Sequence, residues 1–271
     1  MSFNTLIRQL YRPIQPTVMQ SDEQVSYTEY LPLDKLHPFI FCYWQLQSTR
    51  KLDEPFNYKV VADGCIDIYF EFNNPSDSYV MGFCKKFTEF PLGVSFNYVG
   101  VRFLPGIFPL LFNISAKEIS NQSVLLTNVL PGLAEFISGN FQSDLQPKQI
   151  KKNFDDYFMQ LISGTTLNPD NRFYDAIQRI LESGGVIDIE NALDTGISPR
   201  QLRRLFEYYI GDTAKVFCKV VRFQHILNAK PSLQSLRENK LFYSSGYYDQ
   251  AHFIKEFKNF YGVTPGKAFG R

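Results

Sequence analysis

The sequence is poor in the residues that build metal and redox centres, with four cysteines and three histidines in 271 residues. Cys42, Cys65, Cys84 and Cys218 form no CxxC pair and no framework spacing, which fits a reducing cytosol and a cytoplasmic location. His37, His225 and His252 are too few for a multi-histidine metal site, so no metal is expected. No stretch approaches the roughly 18 consecutive apolar residues of a membrane span. Met1–Arg12 has no basic region followed by an apolar run, so neither a membrane partner nor a signal peptide is expected. There is no Gly-rich phosphate loop; Gly132 and Gly184-Gly185 are isolated punctuation, and no cofactor is expected. A large excess of charge is also missing, since the net value is +1. That balance conceals an asymmetry. Residues 1–170 hold 13 Lys+Arg against 17 Asp+Glu, and residues 171–271 hold 15 against 10. An anionic partner is therefore expected for the last third alone. With 44% apolar and 20% charged residues, the chain can bury a core, and its length suits two domains.

The texture changes along the chain. Residues 1–26 contain Pro13, Pro16 and a polar Ser21–Gln24 stretch, and read as a lightly structured lead-in. From Tyr27 onward the pattern is that of strands. Phe39–Trp44 is aromatic and β-branched, and Ile66, Ile68, Phe70 and Phe72 alternate with Asp67, Tyr69 and Glu71. Asp63-Gly64 and Asn73–Asp77 supply turn chemistry on either side, and Asn97–Phe103 is a further strand stopped by Pro105-Gly106. Beyond it, Phe108–Phe112, Ala116–Ile119 and Leu145–Ile162 look helical, and Gly164–Pro169 reads as a linker. Residues 172–271 are helical almost throughout. The expected fold is α+β: an antiparallel β sandwich or barrel-like domain over 27–130, a helical connector over 131–170 that is a candidate dimerisation element, and an all-α domain over 171–271.

That last third contains a repeat offset by 51 residues: Ser198 aligns with Asp249, Leu202 with Phe253, Phe206 with Phe257, Gly211 with Gly262 and Thr213 with Thr264. Ser and Asp cap the free amides of a first turn, Pro199 suits the first helical position, and Gln201 completes a capping-box spacing with Ser198. Gly211 and Gly262 suit left-handed helix ends. Short helical stretches with glycine turns precede each cap, Ile187–Leu193 with Gly196 and Leu233–Tyr243 with Gly246. The arrangement is a helix-turn-helix, present twice. In the first capped helix Leu202, Leu205, Phe206 and Tyr209 share one side. Arg200, Arg203 and Arg204 fall within roughly 100° on the other. Three arginines there suit phosphates and guanine edges, or form only a solvated basic face. In the second, Phe253, Ile254, Phe257 and Phe260 are expected inside. His252, Lys255 and Asn259 face outward, with Gln250 in the first turn and Ala251 free to touch a thymine methyl.

The run Ser198–Phe206, then Gly211, Arg222-Phe223, Gly246–Phe253, Phe257-Lys258 and Gly262–Pro265 resembles the AraC/XylS-type DNA-binding domain over about residues 172–271. The resemblance implies two helix-turn-helix units joined by a long central helix, here Thr213–Asn228, and sequence-specific binding to double-stranded bacterial promoter DNA. RNA polymerase, a small-molecule effector and a second copy of the chain are further candidate partners. One departure is Phe242, where the family usually has a small residue. His37-Pro38, Tyr43-Trp44, Asp63–Asp67 and Gly100–Gly106 resemble a sensor domain found ahead of this module in some AraC-like regulators.

Within the sensor half, Tyr43, Trp44, Asp67 and Arg102 are the candidate effector-binding residues. Arg102 lies on an apolar strand, where a buried cation needs either Asp63 or Asp67 as a structural partner or an anionic effector. Cys65 has no adjacent cation to activate it, and reads as a packed thiol. Asp63 reads as a turn former and Asp67 as the polar phase of a strand, rather than an acid–base pair. The leading expectation is a signal-responsive transcription regulator and not an enzyme. The alternative is a DNA-targeted enzyme of the alkyl-transfer repair type, which would need a zinc-holding cysteine cluster.

Overall fold

The computed structural model describes residues 3–16, 24–189, 196–229, 234 and 245–270. The chain opens with a helix, α1 (Phe3–Leu10), and then alternates strands: β1 (Val25–Tyr30), β2 (Ile40–Ser48), β3 (Asn57–Val60), β4 (Ile66–Glu71), β5 (Asn74–Met81), β6 (Thr88–Pro91) and β7 (Asn97–Phe103). Short helices α2 (Ile107–Phe112) and α3 (Ala116–Ile119) lead to β8 (Ser123–Leu125), followed by α4 (Leu126–Val129), α5 (Pro131–Asn140) and α6 (Pro147–Gly164). The remaining helices are α7 (Asn171–Glu182), α8 (Pro199–Tyr209), α9 (Ala214–Ala229), α10 (Gln250–Tyr261) and α11 (Pro265–Phe269).

The main sheet is antiparallel in the order β1-β2-β7-β4-β5-β8, and β3 pairs with β6 in a separate two-stranded sheet. Period-two alternation gives the main sheet two different faces. Ile66, Ile68 and Phe70 of β4 join Tyr43, Val99, Val101 and Phe103 in one core, covered by helices. There Tyr43 stacks on Phe154 of α6, with ring centroids 4.9 Å apart, and Phe103 meets Phe108 of α2 edge-on. The opposite face carries Cys42, Trp44 and Leu46, which pack with Tyr58, Leu92 and Phe96 beneath the two-stranded sheet. This is the sandwich the sequence led us to expect.

The sequence expectations need correction at three places. The lead-in is ordered where described: Ile7 and Tyr11 of the first segment are buried, and β1 already begins at Val25. Pro13 and Pro16 lie beyond the end of α1 and do not prevent it, because the apolar i, i+4 stripe lies ahead of them. The turn expected over Asn73–Asp77 occupies only Phe72-Asn73, so Asn74–Met81 is a strand with Ser78 and Val80 buried. Within the expected helical connector, Ile150, Phe154 and Phe158 of α6 are buried. Finally, Ile254 is 36% exposed rather than part of the core. It lies one residue round from the Phe253–Phe257–Phe260 stripe that faces α9, beyond the arc that α9 covers.

The helical half shares its core with the β half. Phe173 of α7 stacks on Tyr209 of α8 at 4.3 Å between centroids, and Tyr174 donates to the Gly106 carbonyl at 3.2 Å. Gly106 has φ of 80°, and a Cβ there would come within 2.6 Å of the Phe173 ring, so this junction admits only glycine. The expected long helix is α9, opened by Thr213, whose Oγ1 accepts from the Val216 amide. Its Phe217 meets Phe206 of α8, and its Phe223 meets Phe257 and Phe260 of α10. Of the first helix expected over Ile187–Leu193, residues 187–189 are not helical and 190–195 lie outside the described residues. The stretch Leu233–Tyr243, including Phe242, also lies outside them apart from Gln234. No helix among the described residues is long and apolar enough to cross a membrane.

Candidate functional site

Two capped helices present the basic faces. In α8 the Ser198 hydroxyl accepts from the Gln201 amide at 3.3 Å, and the Gln201 side chain reaches back to the Ser198 amide at 3.1 Å. In α10 the Asp249 carboxylate accepts from the His252 amide at 2.7 Å, and Gly262 closes the helix with φ of 90°. Each cap fixes where its helix starts, and so which residues stand in its first two turns. Arg200, Arg203 and Arg204 are exposed on α8, and Gln250, Ala251, His252 and Lys255 are exposed on α10. Arg203 donates to Glu207 at 2.8 Å, and Glu207 also accepts from Lys117 of α3 at 2.8 Å. Hydrogen bonds from Lys117 and Arg203 hold the Glu207 carboxyl below the usual carboxylate range. His252 stands 3.9 Å from Glu256, which pairs with Lys219 of α9 at 3.0 Å. Tyr248, which the sequence reading passed over, is 87% exposed immediately before the second cap.

A cavity of about 300 Å³ lies between the two β sheets. Trp44 and Leu46 of β2, Asp67 and Tyr69 of β4, and Tyr98 and Arg102 of β7 form its floor, and Tyr58 and Phe90 stand on the opposite sheet. Three of the four effector candidates, Trp44, Asp67 and Arg102, therefore meet. Tyr43 does not. Successive strand residues face opposite sides, so Tyr43 points under α6, where its hydroxyl donates to Asp155 at 2.9 Å. Gly100 opens the cavity floor: a Cβ there would lie 2.5 Å from the Trp44 ring and 2.9 Å from the Ile68 carbonyl. Gly100→Ala should cost about 1–3 kcal/mol through overpacking, measured by urea denaturation, and a neutral result would contradict this packing.

Arg102 is 2% exposed and binds Asp67 through both Nε and Nη2, the latter at 2.9 Å, with Asp63 at 3.5 Å. Burial works against its charge, but Asp67 and Asp63 outweigh burial and raise its pKa. Its Nη1 is buried with no hydrogen-bond partner among the described residues. The Trp44 indole N–H donates to Asp67 at 3.1 Å. Burial nevertheless pushes Asp67 up to about 6, with Arg102 pulling it down and Asp63 pushing it further up. A carboxyl raised in the folded state contributes stability that is present below its unfolded value near 3.9 and is lost as pH rises through about 6. Thermal denaturation of wild type and Asp67→Asn should show the wild type losing ground to the variant between pH 4 and pH 7. A constant difference would place the Asp67 pKa near its ordinary value.

Behind Arg102 a chain of buried polar contacts leads out of the β half. Asp63 accepts from Gln15 Nε2 at 2.8 Å, and its carbonyl accepts from the Tyr11 hydroxyl at 2.5 Å. Gln15 also exchanges both its amide groups with the Val61 backbone at 3.0 Å. Gln224 of α9 then donates to Ala62 at 2.9 Å and to Ile14 at 3.2 Å, and accepts from the Ile14 amide at 2.8 Å. The Ala62 amide donates to Phe260 of α10 at 3.3 Å, and Asn259 meets Lys85 and Phe87. Apart from Asp63, none of these partners was identified from the sequence. The available signal was Gln224 itself, an amide on a helix face otherwise occupied by Phe217, Val220, Val221 and Phe223.

The thiols are packed away. Burial raises Cys42 and Cys65 well above the ordinary range, Cys84 to about 11 and Cys218 to about 12. Among the described residues no three His, Cys, Asp or Glu side chains are grouped to hold a metal ion.

Residues 192–271 match a helix-turn-helix domain family, and residues 28–125 match a domain of unknown function (DUF6597). No curated protein matches the chain. Solved structures of ToxT from Vibrio cholerae are similar along most of the length. The unsaturated fatty acid bound wild-type protein of strain SCE256 has a TM-score of 0.43 at 12% identity, covering 92% of this chain and 96% of that one. The protein from Vibrio cholerae O395 has a TM-score of 0.39 at 13% identity, with 92% and 98% covered.

Proposed function

We propose that this chain, an AraC-type DNA-binding transcription regulator with its helix-turn-helix domain at the C-terminal end, enters two successive major grooves of promoter DNA and is set by a small molecule held between its β sheets. The observation that carries this reading is that two capped helices, each with an exposed polar N-terminal face, pack on one helix, α9, with Phe206 of α8 on Phe217, and Phe257 and Phe260 of α10 on Phe223. Two recognition helices packed on one connecting helix suit neighbouring major grooves on one face of the duplex. Arg200, Arg203 and Arg204 suit guanines and phosphates. Gln250, Ala251, His252 and Lys255 suit a half-site with A·T pairs. Trp44, Asp67 and Arg102 are the effector contacts, and the Asp63–Gln15–Gln224 chain links that cavity to α9. On a promoter the protein would work in the cytoplasm beside RNA polymerase, and pairing of two copies would lengthen the site read.

Selection of bound duplexes from random DNA, followed by footprinting, tests the reading. Protection should cover two grooves about 10 base pairs apart on one face. The logarithm of affinity should fall linearly with the logarithm of salt, through counterion release. A flat salt response, or protection of a single groove, would defeat it.

A further inference from the structure

We propose that Arg222 of α9 is the positioning residue that fixes the angle between the two recognition helices, and with it the half-site spacing that the protein accepts. The inference rests on the two-groove reading and goes beyond it by naming the side chain that holds the two helix-turn-helix units in register. Arg222 stands where three elements meet. Its Nη2 donates to the Gly185 carbonyl at 3.2 Å, three residues past the end of α7. Its Nη1 donates to the Gly246 carbonyl at 3.0 Å, three residues before the cap of α10. On the first side α7 is packed on α8, with Phe173 against Phe206 and Tyr209. One guanidinium therefore ties the turn beyond α7 to the turn that opens the second recognition helix.

The same group also bears on α10 itself. The guanidinium carbon lies over the Tyr247 ring, 5.0 Å from its centroid. Tyr247 is buried and meets Phe253 and His252 of α10 edge-on, at 5.3 and 5.4 Å. The seam is tight. Gly246 has φ of 74°, and a Cβ there would lie 2.8 Å from the Val186 side chain. A Cβ on Gly185 would lie 2.2 Å from the Cys218 carbonyl of α9. Apolar contacts between α9 and its neighbours are non-directional, and set how near α8 and α10 stand rather than how they are turned. A planar guanidinium holds two carbonyls in a fixed fork and so sets direction. Its Nε is buried with no hydrogen-bond partner among the described residues, a placement that an apolar side chain at this seam would avoid.

The spacing of the DNA site tests this. Adding or removing one base pair between the half-sites shifts one of them by about 3.4 Å and turns it by about 35°. Two helices held at a fixed angle then lose base contacts in one groove, which lowers affinity at least about tenfold. Anisotropy titrations of the full chain use the selected duplex and the same duplex lengthened or shortened by one base pair. Wild type should show the tenfold loss. Arg222→Met, checked for folding by circular dichroism, should bind the selected duplex more weakly but lose less than about threefold on the altered ones. The single-base preferences within each half-site should stay as they are in wild type. If the methionine variant does not fold, Arg222→Lys takes its place, since it keeps the charge without the fork, and should also lose spacing discrimination. A folded variant that keeps the wild-type discrimination, or that weakens on every duplex by the same factor, would overturn the role of Arg222. Wild type binding all the duplexes equally would instead overturn the two-groove reading, and the role with it.

Discussion

Gln224→Ala lowers the stability of the chain by roughly 3–5 kcal/mol and loosens the helical half from the β half. The size follows from the number of groups it abandons. Gln224 is fully buried, and its one amide serves the Ile14 amide, the Ile14 carbonyl and the Ala62 carbonyl. Each buried backbone group left without a partner costs about 1–3 kcal/mol, and a cavity adds to the loss. Water entering the gap would recover part of it, which sets the upper end of the range. Asn228 is the control. It lies one turn further along α9 and reaches the Arg12 carbonyl at 2.8 Å, but in an exposed position. Asn228→Ala should cost less than about 1 kcal/mol, because solvent replaces its bond. Urea denaturation of both variants decides the matter, and a Gln224→Ala chain within 1 kcal/mol of wild type would remove the docking role assigned to it. If the variant remains folded and binds DNA but no longer responds to a cavity ligand, the chain of contacts from Arg102 to α9 is the route of control.

Arg203→Ala should weaken binding to the selected DNA by about 1–3 kcal/mol and relax base preference in one half-site only. The side chain is 68% exposed, so its bond to Glu207 does not hold it back from DNA. Exposed pairs of this kind contribute between nothing and about 1 kcal/mol. Gln250→Ala should relax the other half-site, since Gln250 stands in the first turn of α10 and the proposed two-groove arrangement puts α8 in the neighbouring groove. Anisotropy titrations against single-base variants of the selected site measure both. If the two substitutions relax the same base pairs, the two-groove arrangement is wrong.

The elements most legible in the sequence were those with local rules. Ser198, Asp249 and Gly262 stand where capping chemistry places them, and Ile66–Phe70 alternates as its burial does. The same local rule put Tyr43 and Trp44 on opposite faces of β2, yet it could not tell which face met a cavity and which met α6. That depends on partners more than a hundred residues away, as the Tyr43–Asp155 bond shows with its separation of 112. Ile254 failed for a related reason. Helical spacing says which residues share a side, while the width of the buried arc is decided by the neighbours, and α9 covers only part of α10. The polar contacts of Gln15, Asp63 and Gln224 left no periodic trace, because each joins positions that only tertiary folding brings together. Arg102 was the exception: a cation on an apolar strand demands a partner, and both carboxylates that the sequence offered are there.

The bond between Ile14 and Gln224 spans 210 residues. On a growing chain the N-terminal segment therefore emerges long before the helix that will hold it has been made. The β half can assemble around its own sheet in the meantime, while Ile7 and Tyr11, buried in the finished protein, have only part of their surroundings. Contacts this distant in sequence close late and slowly, after shorter loops have formed. The docking of the first segment against α9 is then the closing event of folding. A chain cut short before residue 224 lacks the side chain that holds Ile14, leaves this segment only partly anchored, and would be a natural substrate for chaperones and proteases. The same contact that ties the cavity to the DNA-reading half thus also marks a chain that has been made to the end of α9.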